Sequence, residues 1–78
     1  MKQNEIDLDK IFGQIGANVR KYRRKFKLSQ ETLAFRIDSA RNYIGCIERA
    51  EKHASIETLS KIAVALNIKL EDLVKGCL

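Results

Sequence analysis

The sequence lacks several features that define common classes of protein. It has no proline and no tryptophan, and only one histidine and two cysteines in 78 residues. Cys46, Cys77 and His53 are too few and too widely spaced for a zinc site, so no metal site is predicted. No run of 18 apolar residues is present, which excludes a membrane-spanning helix. Both cysteines are expected to be free thiols in a reducing compartment, with a redox switch through Cys46 as the alternative.

Catalytic arrangements are also missing. His53 has no nucleophile or carboxylate arrangement around it, and there is no glycine-rich phosphate loop. We therefore predict that the chain is not an enzyme and uses no cofactor or small-molecule ligand. Residues 1–10 contain no apolar signal region, so a cytoplasmic protein is expected. A chain of this length forms one small domain that buries only about 60% of its extended surface, which favours self-association.

The positive charge is concentrated in one segment. The formal net charge is +5, and residues 20–49 carry nine Lys or Arg against three acidic residues. Residues 1–19 and 50–78 are close to neutral. A concentration of this kind is typical of a surface that meets phosphate groups, although a solvated basic face without a partner has the same composition.

Apolar residues recur every three or four positions through most of the chain, which predicts an all-α fold of five helices with no sheet. Residues 1–10 are predicted to be a partly flexible arm or an extension of the first helix, and residues 11–78 a single domain. Gly13 is a candidate break in the first helix, because glycine is unfavourable in a helix interior. The predicted core comprises Leu28, Leu33, Ile37, Ile44, Ile47, Ile56, Leu59, Ile62 and Leu66.

The segment from residue 29 to residue 49 has the pattern of two short helices joined by a tight turn. Ser29 can cap the first helix, because its hydroxyl can accept a hydrogen bond from an amide of the first turn. Asp38 and Ser39 are turn formers between the helices. The second helix buries its isoleucines and leaves polar and basic residues on its other side. This arrangement is typical of a helix-turn-helix that binds DNA through its second helix.

These residues resemble the Cro and lambda-type repressors, the XRE family of helix-turn-helix proteins. The resemblance implies a compact, five-helix, lambda-repressor-like DNA-binding domain in which helices 2 and 3 form the helix-turn-helix. Within the family, the segment from Arg41 to Arg49 is most similar to the controller proteins of restriction–modification systems, which are small dimeric regulators. The residues that carry the resemblance are Ile15-Gly16, Arg20 to Arg23, Leu28-Ser29-Gln30-Glu31, Leu33-Ala34, Tyr43-Ile44, Ile47-Glu48-Arg49 and Leu59-x-x-Ile62-Ala63-x-Ala65-Leu66.

Two residues at the start of the second helix are predicted to contact bases. Arg41 matches the two acceptors of guanine and Asn42 matches adenine, each contributing about 1–3 kcal/mol of discrimination. Both could instead be ordinary surface residues. The remaining predicted DNA-binding residues contact phosphate or line the groove, and their alternative is a solvated or packed side chain: Ser29, Gln30, Tyr43, Cys46, Arg49, Lys52 and His53.

The sequence departs from the family pattern at its turns. The family often has glycine at the positions of Lys27, Asp38 and Ala50. Asp38 is tolerable there, but left-handed backbone at Lys27 and Ala50 would cost about 1 kcal/mol each. Ala40 stands where the family usually has a capping Ser or Asp for the recognition helix. We therefore expect Ser39 to cap that helix instead, which shifts the helix start by one residue.

An acidic residue in this basic segment calls for a partner. The resemblance implies that Glu48 pairs with Arg23 of the first helix, so we predict a partly buried salt bridge that ties the recognition helix to helix 1.

The apolar residues near the end of the chain are too many for so small a core. Their alternatives are a helix that folds back on the monomer and, as the resemblance implies, a homodimer interface. A two-fold dimer would place two recognition helices about 34 Å apart on an inverted repeat. The predicted interface residues are Leu66, Ile68, Leu70, Leu73 and Val74.

The sequence therefore favours a sequence-specific transcription regulator that binds double-stranded DNA as a homodimer on a near-palindromic operator. Such a dimer either blocks RNA polymerase or touches it. Control of a restriction–modification system is the finer expectation. The alternative is an antitoxin-like or adaptor module whose basic helical surface binds an acidic protein partner.

Overall fold

The computed structural model describes residues 6–77, and within them the chain forms helices and no strand. None of these helices is both long enough and apolar enough to span a bilayer. The part of the N-terminal arm predicted at residues 1–5 lies outside the described residues. The five helices are α1 (Leu8–Lys25), α2 (Gln30–Arg36), α3 (Tyr43–Glu48), α4 (Ile56–Leu66) and α5 (Leu70–Leu73).

Side-chain oxygens cap the N-termini of the three longest helices. Asp7 caps α1 by accepting a hydrogen bond from Lys10 N at 3.1 Å. The hydroxyls of Ser29 and Ser55 do the same for α2 and α4, at 2.9 and 3.1 Å from the amides three residues later. These caps satisfy amides that have no partner within the helix, so they fix where each helix begins.

The first four helices all end in one backbone pattern. After α1, for example, the amide of Lys27 bonds to Arg24 O and the amide of Leu28 to Arg23 O, which is the Schellman arrangement. This arrangement needs a residue with left-handed backbone just past the helix. No glycine occupies that position in any of the four: it is held by Lys27 (φ 58°), Asp38 (φ 57°), Ala50 (φ 60°) and Asn67 (φ 56°).

One hydrophobic core joins all five helices, with buried residues from α1 to α5. Two residues of the predicted core are less buried than expected. Ile56 is 65% exposed, because it occupies the first turn of α4 with its side chain outside the stripe that faces α1 and α2. Leu28, in the connection before α2, is only partly buried. The buried apolar residues are Ile15, Val19, Leu33, Ala34, Ile37, Ile44, Ile47, Ala54, Leu59, Ile62, Ala63, Leu66 and Leu73.

The break expected at Gly13 is absent, because α1 runs without interruption from Leu8 to Lys25. At Gly16, one turn later, the packing explains why the residue is a glycine. A Cβ atom at Gly16 would lie 2.5 Å from Ile47 O and 2.7 Å from Glu48 O. The absence of a side chain at Gly16 therefore lets the backbone of α3 approach α1 closely, and this crossing positions the recognition helix.

A buried amide that helical periodicity did not predict joins α1 to the segment around the end of α5. Asn18 on α1 donates from Nδ2 to Leu73 O at 2.8 Å and to Lys75 O at 2.9 Å. Its Oδ1 accepts from Gln14 Nε2 at 3.0 Å. These bonds satisfy the last carbonyl of α5 and a carbonyl of the segment after it, and they dock that short helix onto α1.

Replacement of Gly16 by alanine should destabilise the fold. A new Cβ would gain about 1 kcal/mol of helix propensity, but it would press on backbone carbonyls, which cannot rotate away. Overpacking of this kind costs about 1–3 kcal/mol, so we expect a net loss and a lower melting temperature in thermal unfolding followed by circular dichroism.

Gly13→Ala is the matched control. Apart from its chain neighbours and the backbone of its own helix, a Cβ atom added at Gly13 would have nothing within 4 Å. This variant should therefore be stabilised by about 0.5–1 kcal/mol. Equal melting temperatures for the two variants would contradict the close approach of α1 and α3.

Candidate nucleic-acid interface

The helix-turn-helix consists of α2, a six-residue connection at 37–42, and α3. The prediction that Ser39 caps α3 was wrong. The amide of Ser39 bonds to Ala34 O at 2.9 Å and so completes the end of α2, while its Oγ lies 3.4 Å from both Ala34 O and Ala40 O. A separate turn follows, in which Tyr43 N bonds to Ala40 O at 3.0 Å. Helix α3 therefore begins only at Tyr43, later than expected.

This later start changes the setting of the two predicted base-contacting residues. Arg41 and Asn42 lie in the turn that leads into α3, with Asn42 at the N-cap position but making no side-chain capping bond. Both are exposed. Arg41 Nε lies 3.7 Å from Glu31 Oε2, and both side chains of this pair are largely in solvent. The polar groups of Arg41 and Asn42 are therefore presented to solvent at the N-terminal end of α3.

A buried carboxylate ties α3 to both of the helices behind it. Glu48 accepts from Arg23 Nε at 2.6 Å and Nη2 at 3.1 Å, and from Gln30 Nε2 at 3.0 Å. The Arg23 and Glu48 side chains are 11% and 3% exposed. Arg23 Nη1 also donates to Leu28 O at 2.8 Å, so the guanidinium holds the connection before α2 as well. The structure thus brings Arg23, Gln30 and Glu48 together into one network across three helices.

Gln30 is less free than a phosphate-binding side chain would be. It is half-buried, and one hydrogen of its amide group is used in the bond to Glu48. An amide nitrogen carries two hydrogens, so a second donor remains for an outside acceptor. The glycine on α3 faces this side chain: a Cβ at Gly45 would lie 3.2 Å from Gln30 Oε1 and 3.0 Å from Arg49 Nη1. Gly45 therefore accommodates its neighbours on the protein itself.

Three other predicted DNA-binding residues are partly engaged within the domain. The Ser29 hydroxyl caps α2 and donates to Thr32 Oγ1 at 2.8 Å. Tyr43 is half-buried and packs against the core, as in the alternative of a packed side chain. Cys46 is half-buried, with its Sγ 3.9 Å from Arg49 Nη2.

Arg49 is the C-cap residue of α3, and its side chain forms an ion pair with Glu51. Its Nε and Nη2 donate to the two carboxylate oxygens of Glu51 at 2.9 and 3.2 Å. These hydrogen bonds, and then the charge of the partner, raise the pKa of Arg49 and lower the pKa of Glu51. Lys52 is exposed beside this pair. We call Arg41, Asn42, Arg49 and Lys52 the recognition face.

His53 lies apart from this face. Its ring stacks on Phe12 of α1, with 4.2 Å between ring centroids and an interplanar angle of 6°. Its Nε2 lies 3.7 Å from Asp9 Oδ1. The geometry places His53 against the N-terminal half of α1 and gives no support to the phosphate contact predicted for it.

Two of the five residues predicted for a dimer interface are inside the protomer. Leu66 is 2% exposed and Leu73 is fully buried, because α4 and α5 turn these leucines towards α1. The surface part of the predicted set is Ile68 and Leu70, both half-buried, and Val74, which is 37% exposed. Outside this set, the most exposed large apolar side chains are those of Phe35 and Val64. Their exposure was not predicted, because helical periodicity did not assign either residue to the buried or the exposed side of its helix.

The sequence of this helical region matches a known family. The helix-turn-helix family model HTH_3 matches residues 19–73, which span α2, α3, α4 and α5 and part of α1. The chain therefore belongs to the helix-turn-helix family, and it is a DNA-binding transcription regulator of that family and not an enzyme.

The chain is similar in particular to restriction–modification controller proteins. It is 42% identical over 64 residues to the control protein C.BamHI of Bacillus amyloliquefaciens, covering 81% of this chain and 75% of the relative. It also matches the structure of the restriction–modification controller protein C.AhdI from Aeromonas hydrophila. That match has a TM-score of 0.77 and 37% identity, and it covers 80% of this chain and 94% of C.AhdI.

A third match is a structure with DNA, the P22 c2 repressor in complex with a synthetic operator. Its TM-score is 0.73 and its identity 29%, and the match covers 80% of this chain and 94% of the repressor. The expected all-α, lambda-repressor-like fold and the resemblance to controller proteins are both confirmed.

Removal of the Arg23 side chain should destabilise the domain strongly. Arg23→Ala would leave the Glu48 carboxylate buried with one weak donor, and loss of one partner of a buried ion pair costs about 3–5 kcal/mol. Urea unfolding followed by circular dichroism measures this loss.

Arg24→Ala is the control on the neighbouring residue. Arg24 is exposed, so its replacement should change the free energy of unfolding by no more than about 0.5 kcal/mol. Similar unfolding curves for the two variants would show that the Arg23–Glu48 pair does not brace α3.

Proposed function

We propose that this protein binds a near-palindromic operator as a homodimer, reads its sequence through the recognition face and controls transcription of a restriction–modification system. The similarity to control proteins over four-fifths of the chain supports a role in a restriction–modification system. The operator complex of the P22 c2 repressor supports the proposed mode of DNA binding. The observation that carries the proposal is the recognition face itself, a set of exposed polar and basic side chains at the two ends of a helix that is held rigidly from behind.

The bracing of α3 is what makes base recognition practicable. Base contacts discriminate only if the side chains approach the groove in one orientation. The Glu48 network and the close approach at Gly16 fix α3 relative to α1 and α2. Arg41 and Asn42 then project from the N-terminal end of α3, the end that enters the major groove in helix-turn-helix proteins.

Phosphate contacts would position this helix without reading sequence. Arg49 and Lys52 follow α3 directly and carry the exposed positive charge near its C-terminus. The spare amide hydrogen of Gln30 and the hydroxyl of the half-buried Tyr43 are further candidates. We assign Ser29 to capping, and Cys46 to a small side chain that lets α3 approach the groove.

The dimer would form through the C-terminal part of the chain. The surface members of the predicted interface, Ile68, Leu70 and Val74, lie on and beside α5, which packs on α1. A symmetric pair of such surfaces would place two recognition helices about one DNA turn apart. The operator-bound dimer would act in the cytoplasm by blocking RNA polymerase or by touching it, and its own concentration would set operator occupancy.

The base-reading role can be tested by selecting binding sites from random duplexes. Arg41→Ala should relax preference at one base pair of each half-site, whereas Lys52→Ala should weaken binding to all sequences evenly. The measurements are sequencing of the selected sites and titration of matched and mismatched duplexes. Loss of affinity by the same factor on operator and random DNA for Arg41→Ala would contradict its assignment.

The dimer can be tested by sedimentation equilibrium. Val74→Asp should raise the dimer dissociation constant by about tenfold or more, because it places a charge in an apolar contact. Phe35→Asp is the control, since it changes an exposed apolar residue on α2, outside the proposed interface. A monomeric wild-type protein at the concentration that saturates the operator would overturn the dimer.

A further inference from the structure

Four exposed cations occupy the C-terminal half of α1, and the recognition face includes none of them. They are Arg20, Lys21, Arg24 and Lys25. Within residues 6–77, no carboxylate lies within 4 Å of any of these four side chains. The two arginines, like the two lysines, are four positions apart, where like charges on a helix repel each other. The helix dipole offsets this repulsion only in the last turn, so the fold gains little from the cluster.

The two arginines lie on the side of α1 that faces α3. A Cβ at Gly16 would be 2.7 Å from Glu48 O, and Arg23 donates to the Glu48 carboxylate, so both positions mark the contact with α3. A helix turns by about 100° per residue, so Arg20 points about 40° and Arg24 about 80° away from Gly16. Gly16 and Arg23 are buried, whereas Arg20 and Arg24 are exposed. The two arginine side chains therefore leave α1 along its border with α3.

The two lysines lie on the far side of the same helix. By the same rotation, Lys21 and Lys25 point about 140° and about 180° away from Gly16. Lys21 Nζ is 5.2 Å from the centroid of the Tyr22 ring, and Lys25 Nζ is 5.9 Å from that of Phe26. The lysines are thus directed over aromatic rings and away from α3.

We infer that Arg20 and Arg24 form a second phosphate-binding surface, which contacts a DNA strand that borders α3. The inference rests on the proposed DNA-binding function. It adds two residues outside the recognition face, and it assigns neither of them a contact with a base.

The dimensions of the duplex bring phosphates to this border. The major groove of B-form DNA is about 12 Å wide and about 8.5 Å deep, and an α-helix with its side chains is about 10–12 Å across. When α3 fills the groove, the phosphates of the two bordering strands stand beside the helix and not below it. Side chains that leave α1 at its border with α3 are then within reach of one of these strands.

The chemistry of the side chains favours the same assignment. A guanidinium donates two parallel N–H···O bonds to a phosphate, which a lysine ammonium cannot do. The competing explanation is a solvated basic face that acts on DNA only through its net charge. That explanation predicts equal effects for the arginines and the lysines, because both pairs carry the same charge on the same turns of α1.

The test compares the double variant Arg20→Gln/Arg24→Gln with wild type on the selected operator and on a scrambled duplex of equal length, by fluorescence anisotropy at several salt concentrations. Phosphate contacts read no sequence, so affinity should fall on both duplexes, by roughly twofold to fivefold for each arginine. The salt slope should become shallower by up to ~1.8, the value for two phosphates at ~0.9 each. Gln has nearly the helix propensity of Arg, so the melting temperature should be unchanged.

Lys21→Gln/Lys25→Gln is the matched control, because it removes the same charge from the far side of α1. It should change affinity by less than about twofold, since exposed charges beyond a Debye length are screened. Its salt slope should equal that of wild type. Equal losses of affinity for the two double variants would show an effect of net charge and would overturn the inference.

Ethylation interference locates the contacts on the DNA, because ethylation of a phosphate removes its charge. Ethylation at certain phosphates of the strand that borders α3 should weaken wild-type binding but no longer affect Arg20→Gln/Arg24→Gln. An identical interference pattern for the two proteins would overturn the inference, as would a loss of affinity confined to the operator or accompanied by a lower melting temperature. A wild-type protein that binds no duplex would instead refute the proposed function, whereas operator binding that the double variant leaves intact refutes this inference alone.

Discussion

The position of the recognition helix depends on one buried carboxylate. Helix α3 has only six residues, too few to be stable or oriented by itself. Glu48 links it to Arg23 on α1 and Gln30 on α2, and the guanidinium of Arg23 also holds the carbonyl of Leu28. An acidic residue that would repel DNA from an exposed position thus serves, from the inner side of the helix, to direct the basic residues outward.

Periodicity and capping chemistry predicted most of the fold. The caps at Asp7, Ser29 and Ser55 follow from local hydrogen bonding, and the buried stripes of α1 and α4 follow from spacing. Exposure was harder to predict, because it depends on which neighbours surround a helix. Leu66 and Val64 are close in sequence and similar in hydropathy, yet Leu66 is buried and Val64 is 80% exposed.

The ion pair that braces α3 was predicted, but the local structure around it was not. The Arg23–Glu48 pair followed from the family resemblance, and its geometry is that of a buried ion pair. The start of α3 was missed, because Ser39 can cap a helix or complete the preceding one, and the choice depends on backbone bonds that local sequence does not determine. Pairing of Arg49 with Glu51 was also missed, although the two are only two residues apart. Left-handed backbone at Ala50 is what turns their side chains together.

The recurring left-handed residue after α1, α2, α3 and α4 has a consequence for engineering. Asn and Asp adopt this backbone readily, but Lys27 and Ala50 hold it against a steric penalty of about 1 kcal/mol or more. Glycine at these two places would remove the penalty without touching the Glu48 carboxylate. Two substitutions should therefore give a more stable domain for crystallisation with DNA, and the natural chain is less stable than its architecture permits.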